Sequence, residues 1–119
     1  MPVDTLPIST FDRVMSVNVR AAFIITQHAV RQMKSQSPQG GRIINNGSIS
    51  AHTPRSDSTP YTMSKHAISG LTKCTQLDGR EFNIACSQVD VGNASTALGG
   101  KGDLKVRRRR PHIGRAIEL

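Results

Sequence analysis

The 119-residue chain has no tryptophan, one tyrosine and three phenylalanines. With a hydrophobic fraction of 36%, its core must rest on Ile, Val, Leu and Ala. The shortage of aromatics also leaves few platforms on which nucleic-acid bases could stack. Cysteine is scarce too: Cys74 and Cys86 form no CxxC pair. That pattern supports neither a disulfide framework nor a metal site, and it fits a reducing, cytoplasmic setting. The longest apolar stretch, Ala21-Ala22-Phe23-Ile24-Ile25, falls far short of the ~20 residues that cross a bilayer. The N-terminus carries Asp4 and no basic lead, so no signal peptide is expected.

Charge is plentiful but uneven. Residues 1–100 hold nine Lys/Arg against six Asp/Glu, and residues 101–119 hold seven against two. Most of the net +8 therefore sits in a tail that includes Arg107–Arg110. A charge run of this kind reads first as a solvated, disordered end. A nucleic-acid surface would need more than charge, so no nucleic-acid partner is expected.

Apolar residues recur at Val14, Val17, Ala21, Ile24, Ile25, Ala29 and Met33, which is helical spacing. It predicts a helix from about Phe11 to Lys34, with Ser9 or Thr10 as the cap. Ser37-Pro38-Gln39-Gly40-Gly41 breaks it. A short strand is predicted at Arg42–Asn46 and a loop over residues 47–59. A second helix follows from about Pro60 to Arg80, since proline suits a first helical turn. Ala67, Ile68, Leu71, Cys74 and Leu77 are its expected core face. A second strand is predicted at Ile84–Asp90. This order, helix–strand–helix–strand, contains a strand–helix–strand unit of the kind that builds a parallel α/β sheet.

Four features carry chemistry. Tyr61 and Lys65 lie four apart at the start of the second helix, so phenol and ammonium share a face. A free phenol, with a pKa near ~10, is a poor acid or base at neutral pH, and a neighbouring cation favours its ionised form. Ser48 follows the first strand, where α/β sheets place ligand contacts, although serine is also a common turn residue. Asn18 lies mid-helix between Val17 and Val19, a poor place for asparagine unless its amide serves a helix kink or holds a water. Asp90-Val91-Gly92-Asn93-Ala94-Ser95-Thr96 ends the second strand, and its glycine lets a ligand approach the backbone.

As an ordered set, these features resemble the short-chain dehydrogenase/reductase family. Residues 42–50, Arg-Ile-Ile-Asn-Asn-Gly-Ser-Ile-Ser, resemble its central strand ending in the catalytic serine. Tyr61 to Lys65 resembles its YxxxK motif, with Ser48 at the usual offset. Phe11 to Val19 resembles the preceding helix, with Asn18 as the tetrad asparagine. Val91-Gly92 with Thr96 resembles the PGxxxT segment at the nicotinamide end. The match covers roughly residues 6–98.

The resemblance implies a partial, doubly wound Rossmann-like α/β fold with a parallel sheet. It assigns residues 1–98 to the family domain and 99–119 to a basic tail. It implies an oxidoreductase using NAD or NADP to interconvert a small carbonyl and an alcohol. Asn18, Ser48, Tyr61 and Lys65 would be catalytic. Asn46, Tyr61, Lys65, Val91, Gly92, Ala94 and Thr96 would face the cofactor. The two long helices would pair copies into a homo-oligomer.

The departures from the family pattern are specific. The glycine-rich TGxxxGxG turn that seats the pyrophosphate is missing, as is the NNAG strand. Val91 replaces the usual proline, and Asn46 replaces an apolar residue beside the nicotinamide. The chain is therefore expected to lack the part that holds pyrophosphate and adenosine. Alone, it should be marginally stable and bind cofactor weakly. The alternative reading is a truncated or inactive remnant that acts through its helices.

Overall fold

The computed structural model describes residues 1–92. Helix α1, Ile8–Met15, opens on Pro7, whose carbonyl accepts the N–H groups of Thr10 and Phe11 at 3.0 and 3.2 Å. Ser9 and Thr10 lie inside the helix, and no side chain caps its start, so the expected cap was misplaced. The rod continues through a π-helical turn at Ser16–Arg20 into α2, Ala21–Ser35. The expected helix over residues 11–34 is thus present, but it begins earlier and is widened at its middle. A π turn inserts one residue per turn and re-aims the side chains around it. Asn18 sits at its centre.

Strands β1, Gly41–Asn46, and β2, Ile84–Val89, pair in parallel, with Gly41 opposite Ile84 and Asn46 opposite Val89. Between them runs α3, Thr59–Gly79, with Pro60 in its first turn as expected. A 3₁₀ turn, Arg80–Phe82, and a left-handed Asn83 (φ 57°) lead into β2. Lys34, near the end of α2, lies over the Phe82 ring, 3.8 Å from its centroid. The chain is α/β with a parallel sheet, as anticipated.

Helix α3 packs on β2, and α1, the π turn and α2 pack on α3. The buried face of α3 is Ser64, Ile68, Thr72, Thr75 and Gly79. Of the residues predicted to face the core, only Ile68 is fully buried; Leu77 is 62% exposed and Cys74 is exposed. The physical reason is size. Gly79 lies so close to β2 that an added Cβ would stand 2.9 Å from Ile84 Cβ. The small polar residues on this face keep their groups satisfied. Thr72 Oγ1 donates to the Ile68 carbonyl at 2.8 Å and accepts from Asn45 Nδ2 at 2.8 Å.

The apolar core is small: Ala51, Ile68, Ile84 and Cys86 are its fully buried members among the described residues. Burial pushes the Cys86 thiol pKa upward. The sheet face away from α3 carries Ile44 and Val89, 66% and 54% exposed, and no described element covers it. No helix of the described residues is long and apolar enough to cross a membrane. The expected domain boundary at residue 98 and the tail with Arg107–Arg110 lie outside the described residues.

Candidate active site

The site forms where β1 and β2 end. Beyond Asn46, the Gly47 N–H donates to the Val89 carbonyl at 2.9 Å, and the Ile49 N–H donates to that of Val91 at 3.4 Å. The two backbones therefore run on together past the strands. Ser48 lies between these contacts in extended geometry, 6% exposed. Its Oγ accepts the Ser50 N–H at 3.2 Å, at the start of a 3₁₀ turn, Ile49–Ala51. The hydroxyl proton of Ser48 is thereby left for another acceptor.

The first turns of α3 bring up Tyr61 and Lys65. Lys65 Nζ donates to the Asn46 carbonyl at 3.0 Å and stands 5.6 Å from the centroid of the Tyr61 ring. The i, i+4 spacing thus places the ammonium beside the phenol, and the end of β1 holds it there. Tyr61 is 41% exposed. A cleft of about 270 Å³ is lined by Asn46, Ser48, Arg55, Tyr61, Lys65, Val91 and Gly92 among others. An added Cβ at Gly92 would meet nothing within 4 Å among the described residues.

Asn18 is not part of the cleft lining. Its Nδ2 donates to Ser64 Oγ at 3.1 Å, and that hydroxyl donates to the Tyr61 carbonyl at 2.7 Å. Ser64 is fully buried. The π turn therefore braces, from behind, the helical turn that carries Tyr61 and Lys65. Of the sequence-predicted residues, the structure brings together Asn46, Ser48, Tyr61, Lys65, Val91 and Gly92, with Asn18 one layer back. Ala94 and Thr96 lie outside the described residues.

Sequence reasoning missed a polar cluster behind Ser48. The Asp90 carboxylate accepts the Ser48 N–H at 3.1 Å and Gln88 Nε2–H at 2.6 Å, and lies 2.6 Å from His52 Nε2. These contacts, the Gln88 hydrogen bond first among them, hold its carboxyl below the usual carboxylate range. The available signal was alternation. Ile84, Cys86, Gln88 and Asp90 share one side of β2 and its extension, and the last two are polar. Arg55 on the cleft wall was also missed, because it lies in a loop without periodicity.

Comparison with known proteins identifies the family. The family model for short chain dehydrogenases matches residues 1–105. An uncharacterised oxidoreductase of Escherichia coli, YohF, is 41% identical over 95 residues, covering 80% of this chain and 37% of the relative. The solved structure of a putative oxidoreductase from Escherichia coli superposes with a TM-score of 0.78 at 38% identity, covering 82% of this chain and 40% of that one. Acetoin dehydrogenase YohF from Salmonella typhimurium gives 0.77 at 36% identity, covering 81% and 39%. The chain thus spans about two-fifths of the length of these relatives. It belongs to the short-chain dehydrogenase/reductase family of enzymes.

Proposed function

We propose that the chain carries the proton-transfer site of an NAD(P)-dependent oxidoreductase that interconverts a small carbonyl and an alcohol, with Tyr61 as acid and base. The observation supporting this most strongly is the convergence of Ser48, Tyr61 and Lys65 on one cleft, with Lys65 held by the Asn46 carbonyl. In reduction, Tyr61 Oη donates its proton to the carbonyl oxygen; in oxidation, it takes one from the alcohol. Ser48 Oγ, already accepting from Ser50, donates to the same substrate oxygen and steadies the charge that develops there. The Lys65 ammonium beside the ring favours negative charge on the phenol oxygen. Asn18 uses its amide N–H on Ser64, leaving its oxygen to accept from a water that links Lys65 to solvent.

The residues present suit the nicotinamide end of the cofactor. Lys65 spends one N–H on Asn46 and keeps two for ribose hydroxyls. Asn46, Val91 and Gly92 line the same cleft. A bound NAD(P)H supplies the hydride. Solved relatives support a nicotinamide cofactor: a gluconate 5-dehydrogenase from Burkholderia cenocepacia is in complex with NADP, and a xylitol dehydrogenase is NAD⁺-bound.

The test is consumption of NADH or NADPH over a panel of small ketones that includes acetoin. Turnover of one or more, lost in Tyr61→Phe, is expected. No consumption across the panel, or an equal rate in the variant, would refute the reading. A second property concerns assembly. Phe23, Val30, Leu71 and Cys74 line a groove between α2 and α3, and Phe23 is 51% exposed. This supports self-association through the helices, with or without turnover, and light scattering of wild type against Phe23→Glu reads it out.

A further inference from the structure

Ser48 has a backbone requirement that the strands do not meet. The N–H groups of Gly47 and Ile49 go to backbone carbonyls of β2 and the segment after it. Alternate residues of a strand turn their N–H groups to opposite sides, so the Ser48 N–H does not share the direction of these two contacts, and it has no backbone acceptor among the described residues. A buried N–H left unpaired is costly, and Ser48 is 6% exposed. Asp90 Oδ1 supplies the acceptor at 3.1 Å.

The carboxylate is itself held from several sides. Gln88 Nε2 donates to Asp90 Oδ1 at 2.6 Å and also contacts Ser69 Oγ on α3 at 3.0 Å. Gln88 Oε1 lies 3.2 Å from Thr72 Oγ1. His52 Nε2 meets Oδ2 at 2.6 Å. The chain makes room for the carboxylate at Gly47, where an added Cβ would overlap Asp90 Oδ1 and the Gln88 amide. A glycine next to the serine thus gives the carboxylate access to its N–H.

We infer that Asp90 is a positioning residue for Ser48: its carboxylate, tied to α3 through Gln88 and flanked by His52, fixes the backbone from which the Ser48 hydroxyl meets substrate. The inference rests on the role proposed above for Ser48. Asp90 touches neither substrate nor cofactor in this account. Its influence on the reaction passes through the Ser48 N–H.

Two readouts on the full chain decide it. In amide hydrogen exchange followed by NMR, Asp90→Ala should speed exchange at Ser48 by about tenfold, the scale of one hydrogen bond to a charged group, while Gly47 stays protected. Asp90→Asn keeps an oxygen acceptor and the side-chain shape. It should retain most of the protection while the Ser48 amide proton alone moves upfield, because the acceptor has lost its charge. In kinetics, Asp90→Ala should lower kcat by about 100-fold through misplacement of the hydroxyl, with the cofactor KM unchanged and partial rescue in Asp90→Asn. Unchanged exchange at Ser48 in Asp90→Ala would overturn the inference. So would a Ser48 amide proton that does not move in Asp90→Asn, which also decides the matter if the alanine variant fails to fold. Equal kcat losses in the two variants would count against it as well. If wild type turns over no substrate, the reading of Ser48 fails, while the exchange and shift data still test the Asp90–Ser48 link.

Discussion

Two glycines of one helix should respond to alanine in opposite directions. Gly79 ends α3 in right-handed helical geometry (φ −84°, ψ −13°), so its backbone tolerates alanine. The space around it does not. A Cβ there would lie 2.9 Å from Ile84 Cβ, 3.0 Å from its carbonyl oxygen and 3.2 Å from Cγ2. Ile84 is 3% exposed and paired with Gly41 in the sheet, so it has little room to recoil. Overpacking of this kind costs roughly 1–3 kcal/mol. Helix propensity returns at most about 1 kcal/mol, and less at a helix end. Gly79→Ala should therefore be destabilised by about 1–2 kcal/mol. Gly70 is exposed mid-helix and has nothing within 4 Å of its would-be Cβ among the described residues. Gly70→Ala should gain up to about 1 kcal/mol. Thermal melts resolve this easily, since each kcal/mol moves Tm by about 4–8 °C in a domain of this size. A Gly79→Ala chain melting at or above wild type would refute the close approach of α3 to β2.

Further outcomes follow from the same contacts. The folded-state pKa of Asp90 lies below the ordinary value near ~3.9, so its stabilising contribution is full above that value and is lost as pH falls through the lower folded value. Wild-type Tm should accordingly drop across this acid range more steeply than that of Asp90→Asn. Asn18→Ala removes the donor to the buried Ser64 hydroxyl and should cost about 1 kcal/mol, read as a lower urea midpoint at unchanged slope. In the folded, monomeric chain maleimide should label the exposed Cys74 and spare Cys86, since Cys86 is buried and its thiol is pushed toward the protonated form.

The elements that bear the site were legible because their signals are local. Pro60 marks the start of α3, the run at Arg42–Asn46 reads as a strand, and Tyr61 with Lys65 follows from helical spacing alone. The π turn was legible only as a symptom: Asn18 between two valines signalled a kink or a bound water, and the structure contains the widened turn together with a hydrogen bond to Ser64. The buried face of α3 was misread because counting apolar residues cannot show that the sheet-facing side needs small ones. Ser64, Thr72, Thr75 and Gly79 meet that need, and Leu77 does not. The Asp90 cluster joins residues 42 and 38 positions apart in sequence, Ser48 and His52 to Asp90; alternation along β2 marks Asp90 as polar on the core side but does not name those partners.

The described sheet has two strands and an uncovered face, a small platform for an open sheet. This agrees with a chain that matches about two-fifths of its relatives' length. It also makes marginal stability and weak cofactor binding the expected behaviour of these 119 residues by themselves. Chemistry at the cleft therefore depends on how well the Ser48, Tyr61 and Lys65 arrangement persists in solution.

The central claim is that Tyr61 moves the proton. The direct measurement is kcat of Tyr61→Phe against wild type, at saturating carbonyl and NAD(P)H, with cofactor affinity measured on the same samples. The account predicts a fall in kcat of at least about 100-fold, the share that a positioned acid contributes, with cofactor affinity retained. A phenylalanine variant that turns over like wild type would contradict it.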